Sequence, residues 1–224
     1  MNHSDLDPYL HELYAACKSD KSIAKEIDFV QHFRDNWMGD FLHPYGDILF
    51  DAGLIDNSLF FAYLAAQTIN FEWYRHSMMH GAYTIVFREL RCILEGLFIV
   101  YKIESLHYGA SMEAKLNILE TAENNRTYYG KGVFSTSTYP DWQTYYTVYK
   151  HLSSYIHFSY SKVAHHIREI ADLQTEAINY SYDRQQFLDA HAVWRQIAAL
   201  CLDMAAQLGK LDNCKVDFSF SIFE

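Results

Sequence analysis

The chain has 224 residues, enough for one domain with a substantial core, and it is 50% hydrophobic against 21% charged, which excludes global disorder. Its 18 Lys and Arg face 28 Asp and Glu, a formal charge of −10 that argues against an extended DNA-binding surface or wholesale wrapping of RNA. A local basic pocket is compatible with that balance.

The N-terminus, Met1 to Pro8, is polar and acidic where a signal peptide needs a basic start and an apolar run. The most membrane-like stretch, Cys92 to Tyr101, is short and interrupted by Glu95, so no membrane partner is expected and the expected location is the cytoplasm. Prolines occur only at positions 8, 44 and 140, leaving long stretches free to be helical. The pattern predicts an N-terminal helix pair over 5–35, then a turn-rich link through His43-Pro-Tyr-Gly46 and Asp51-Ala-Gly53, ending at an N-cap near Asn57-Ser58. From there to Glu104 it predicts either one very long helix or two, with Gly81 as the bend.

A shorter helix is expected from Ser111, capped by that hydroxyl and favoured by Glu113 in its first turn. Residues 124–139 contain Gly130, Gly132 and a Ser/Thr run and read as a loop, a candidate lid. Pro140-Asp141 opens a helix carrying Tyr145, Tyr146 and Tyr149 and reaching at least to His157. Asp183 caps a last long helix ending near Gly209, and the tail Val216 to Phe223 alternates apolar and polar as an added strand or a partner-seeking arm would. The expected fold is thus all-α: an up-and-down helical bundle over 57–210, with N-terminal helices and link over 1–56 packed on it and an extended tail over 211–224. Cys17, Cys92, Cys201 and Cys214 show no C-x-x-C pairing and read as reduced, mostly buried thiols.

Two segments place ionisable groups inside strongly apolar helix. At 100° per residue His80, Thr84, Arg88, Arg91 and Glu95 share a stripe about 80° wide, a single polar seam. In the second segment Ser153 and His157 lie one turn apart, with Tyr149 on roughly the same side. Two readings are open. In one, the seam is architectural, with Arg91 paired to Glu95 at i and i+4. In the other it is a site: Arg88 and Arg91 hold an anion, Ser153 and Tyr149 help bind it, and His157 moves a proton while Glu95 orients its neighbours.

The pattern Leu90-Arg91-x-x-x-Glu95, followed by Tyr149-x-x-Leu152-Ser153-x-x-x-His157, resembles the HEPN-like superfamily of prokaryotic helical bundles, common among uncharacterised and phage-defence proteins. The resemblance spans about Asn57 to Leu208. It implies a four- to five-helix bundle, frequent homodimerisation and, in many members, metal-independent RNA cleavage. His157, Arg91 and Glu95 would then be catalytic and the ligand an RNA or nucleotide-like, phosphate-containing molecule, with no cofactor. One departure is visible. Ribonuclease members carry an Arg, four to six residues, then a His, normally on a late helix; here Arg184 to His191 fits at the loose limit and Arg75 to His80 fits on an earlier helix.

Glu72, His76 and His80 form a further candidate, since two histidines a turn apart can chelate zinc, but the central Glu of a protease motif is missing and no metal is expected. His165-His166 with Glu169 reads as a solvated helix end. The competing function is a non-enzymatic interaction protein, in which the same seam ties helices together.

Overall fold

A computed structural model describes residues 3–124, 130–156 and 182–211. Every regular element among them is helical, as an all-α reading requires: α1 (His3–Ser19), α2 (Ala24–Asn36), α3 (His43–Asp51), α4 (Leu59–Met79), α5 (Tyr83–Leu106), α6 (Met112–Asn124), α7 (Lys131–Ser135), α8 (Trp142–Ile156) and α9 (Arg184–Leu211). The C-terminal tail, Cys214, His157 and the His165-His166 pair lie outside the described residues. No described helix is long and apolar enough to cross a membrane.

Helices α1 and α2 occupy the N-terminal region, and the segment expected as an irregular link is largely helical. After α2 the backbone widens into a π turn over Trp37–Leu42 and passes directly into α3. Pro44, which has no N–H to donate, stands at the start of α3 immediately after the π turn. Trp37 and Phe41, carried by the π turn, are almost fully buried and pack edge-on at 4.7 Å. The wider turn keeps both rings in the core.

Ser58 caps α4, accepting from the Phe61 N–H at 3.1 Å. Gly81 produces a break rather than a bend: its φ of +73° allows the Ala82 N–H to reach back to the Ser77 carbonyl at 2.8 Å, a Schellman closure that ends α4. Ser111 caps α6 through the Ala114 N–H, and Asp183 caps α9 through the N–H groups of Gln185 and Gln186. The 124–139 stretch is not wholly loop, since α7 occupies 131–135 and buries Val133 and Phe134.

The centre of the molecule is α5. Leu90, Leu94, Leu97, Phe98 and Val86 are each buried, and α5 packs against α4, α8 and α9. Against the α4 and α9 side lies an aromatic block in which Phe33, Trp37, Phe71 and Trp194 meet at ring separations of 4.8 to 6.1 Å. Residues from α2, the π turn and α9 therefore share one core with the segments between them. Close approach of α4 to α5 depends on Gly96, where any Cβ would collide with the Tyr63 ring and hydroxyl.

Candidate functional site

Arg91 projects from α5 toward α8. Its Nη2 donates to the Tyr149 hydroxyl at 2.6 Å, and its guanidinium carbon lies 4.8 Å from the centre of the Tyr149 ring. The Tyr149 hydroxyl in turn donates to Glu95 Oε1 at 3.5 Å, and the same carboxylate oxygen accepts the Gly130 N–H at 2.9 Å. Arg91 and Glu95 are thus joined through Tyr149 rather than directly, and Glu95 anchors the chain entering α7. Burial opposes the charge on Arg91, but the Tyr149 hydroxyl and Glu95 outweigh it and hold the guanidinium pKa above its ordinary value. The Arg91 Nε–H is buried with no hydrogen-bond partner among the described residues.

Tyr149 itself is buried against Phe134 at 5.1 Å and stacks with Tyr146 at 6.2 Å. The other seam residues go elsewhere. Arg88 is 57% exposed and bonds Glu89 at 2.8 and 2.9 Å. Thr84 is exposed, and His80 lies beyond the Gly81 break with its Nδ1 2.7 Å from the His76 carbonyl. His80 drops out of the expected stripe, because the reversal at Gly81 ends the helical phase on which its place depended, while Thr84, Arg88, Arg91 and Glu95 remain on one face of α5. Ser153 donates to the Tyr149 carbonyl at 2.8 Å, a bond along its own helix. Of the expected site residues, Arg91, Glu95 and Tyr149 come together, Arg88 turns outward, Ser153 is used locally, and His157 lies outside the described residues.

Neither Arg-to-His spacing assembles a pair. Arg184 is 3.9 Å from Asp20, whereas His191 is buried edge-on against Phe29 at 4.8 Å. Arg75 is held by Glu72 through its Nε at 3.1 Å, and the same carboxylate lies 3.4 Å from His76 Nε2. Among the described residues no group of three His, Cys, Asp or Glu is placed to hold a metal ion.

A second polar cluster lies at the far end of α5. Glu104 Oε1 and Lys115 Nζ are 2.7 Å apart, with side chains 4% and 1% exposed. Glu104 Oε2 accepts the Leu59 N–H at 2.9 Å and the Phe60 N–H at 3.3 Å, so the carboxylate sits on the N-terminus of α4. Lys115 also donates to the Asn57 carbonyl at 2.6 Å, while Asn57 Oδ1 accepts the Met112 N–H and caps α6. A cavity of about 30 Å³ adjoins this cluster, lined in part by Tyr108, whose hydroxyl is buried with no hydrogen-bond partner among the described residues. That volume suits a water or two rather than a metabolite.

This cluster escaped the motif-led reading, although a signal was available. Glu104 continues the core stripe Leu90, Leu97, Tyr101, and Lys115 shares a stripe with Ile118 and Ala122. A charge on a core stripe requires a buried partner.

No family model, no curated protein and no solved structure matches this chain.

Proposed function

We propose that the chain is a non-catalytic helical interaction module in which the Arg91–Tyr149–Glu95 seam is a strut. The observation that carries this is that Arg91 is engaged inward by Tyr149 and Glu95. Arg88 is likewise engaged by Glu89, so each seam arginine has a carboxylate beside it and the pair of pairs carries no net positive charge for a phosphate. Two interior cavities, beside Trp37 and beside Lys115, are lined by other residues.

A second reading has one observation in its favour: the two motif-bearing segments meet at Arg91 and Tyr149, as a shared site requires. In that reading the chain is a cytoplasmic HEPN-like up-and-down bundle that binds a nucleotide-like ligand or cleaves RNA, with His157 supplying the proton-transfer group. One experiment separates the two. Purified protein is incubated with varied single-stranded RNAs in chelator, alongside Arg91→Ala and Tyr149→Phe. The strut reading expects no cleavage by any of them and a stability loss of about 1 to 3 kcal/mol for each variant. Cleavage by the wild type, abolished in Arg91→Ala at unchanged thermal transition, overturns it in favour of the ribonuclease.

A further inference from the structure

The helix α4 carries apolar side chains on two opposite sides, with polar residues such as Asn70, Glu72 and Arg75 on its flanks, yet only one of the apolar sides faces the core. Phe60, Leu64, Phe71, Tyr74 and Met78 are buried. On the opposite side Ala62, Ala66, Ile69, Trp73 and His76 are exposed, Ile69 at 74% and Trp73 at 68%. Their spacing is four, three, four, three, which keeps them within a stripe about 80° wide and matches the seam of a helix pair. A solvent-facing stripe of that length and composition is the mark of a surface that is covered in use.

We propose that this stripe is the contact by which two copies of the chain pair, α4 against α4 and antiparallel. The reading rests on the interaction role proposed above and names the partner. Two arguments select a second copy. The stripe is self-complementary: its first half is small (Ala62, Ala66) and its second half large (Ile69, Trp73). A two-fold axis between Gln67 and Thr68 sets Ala62 opposite Trp73 and Ala66 opposite Ile69, each large side chain over a small one, as an isologous contact demands. The same arrangement brings the His76 end of one helix beside the other copy's acidic end, where Asp56 is exposed just ahead of α4. Glu72 and Arg75, at the flank, are already paired within the helix and bring no like-charge clash.

The area agrees with a weak pairing. At the exposures found, Ile69 and Trp73 offer on the order of 300 Å² per copy. Two copies, with the alanines and His76 added, approach about 1,000 Å² in total, the lower bound for a specific interface. The expected complex is a micromolar homodimer.

Sedimentation equilibrium of the full chain, from micromolar to near-millimolar concentration, tests it with three variants at exposed positions, each checked for an unchanged thermal transition. Trp73→Glu should weaken dimerisation at least about tenfold, by loss of the largest side chain of the contact and burial of a carboxylate in its place. Ala62→Trp should also weaken it at least about tenfold, because it fills the recess that receives Trp73. Non-specific stickiness predicts the reverse, a tighter association from the added ring. Phe50→Glu, equally exposed at 70% but on α3, should change nothing. A wild type that stays monomeric overturns the proposal, as does indifference to Trp73→Glu, tightening by Ala62→Trp, or sensitivity to Phe50→Glu. RNA cleavage would instead overturn the strut reading of the seam and leave this contact standing.

Discussion

Glu104 and Lys115 form a 2.7 Å ion pair that is sealed from solvent and also organises two helix starts, that of α4 through Glu104 and that of α6 through Asn57. Removing one member strands the other in the core. Lys115→Met is therefore expected to cost about 3 to 5 kcal/mol, read from urea unfolding, although it substitutes an apolar side chain of similar length. A loss below about 1 kcal/mol would mean that solvent reaches the carboxylate and that the cluster is not closed.

Gly96 makes a separate claim on the α4–α5 contact. Its Cβ position is occupied by the Tyr63 ring, whose hydroxyl donates to the Ile93 carbonyl at 3.2 Å. Gly96→Ala should destabilise by about 1 to 3 kcal/mol despite alanine's better helix propensity. A neutral or stabilising result would show that α4 and α5 are further apart than described.

His191 provides a pH signature. Burial lowers its pKa from 6.5 to about 4, an effect that Arg195 adds to and Glu26 opposes. The folded pKa lies below the unfolded one, so the unfolded state takes up the proton first. Stability is fully present above pH 6.5 and is lost as pH falls through that value toward 4, by about 3 kcal/mol at most. The stability of wild type minus that of His191→Leu isolates this from the carboxylates: it should fall steadily from neutral pH to pH 4. A pH-independent difference would place His191 in contact with water.

The cysteines divide by burial. Cys17 and Cys201 are buried and Cys92 is exposed, a correction to the expectation of mostly buried thiols at that one position. Burial pushes the Cys17 thiol up to about 12, with Asp20 adding to the effect, and raises Cys201 as well. The Cys92 thiol is raised too, by partial burial and Glu89, so in the Cys214→Ser variant Cys92 should react with a disulfide reagent in the folded state, faster as pH rises, while two thiols wait for denaturant. Rapid labelling of all three would refute the packing of α1 on α4 and of α9 on α5.

Much of the helical content was legible in the residues because it depends on local chemistry. Ser58, Ser111 and Asp183 accept from N–H groups two or three positions ahead, and Gly81 supplies the left-handed turn that side chains disfavour. Each of those signals is complete within a few residues. The π turn at Trp37–Leu42 was not legible, since what favours it is the burial of Trp37 and Phe41, with Trp37 packed on Phe71 of α4, distant in sequence.

The candidate site divides along the same line. Periodicity alone determined that Arg91 and Glu95 share a helical face and that an apolar helix would have to accommodate them. Only the tertiary structure decided that Tyr149 stands between them, that Arg88 turns away to Glu89, and that the Gly81 reversal removes His80 from the seam. The physical reason is that spacing sets direction around a helix axis, whereas the partner of a buried charge is whichever polar group the packing of another helix brings within reach.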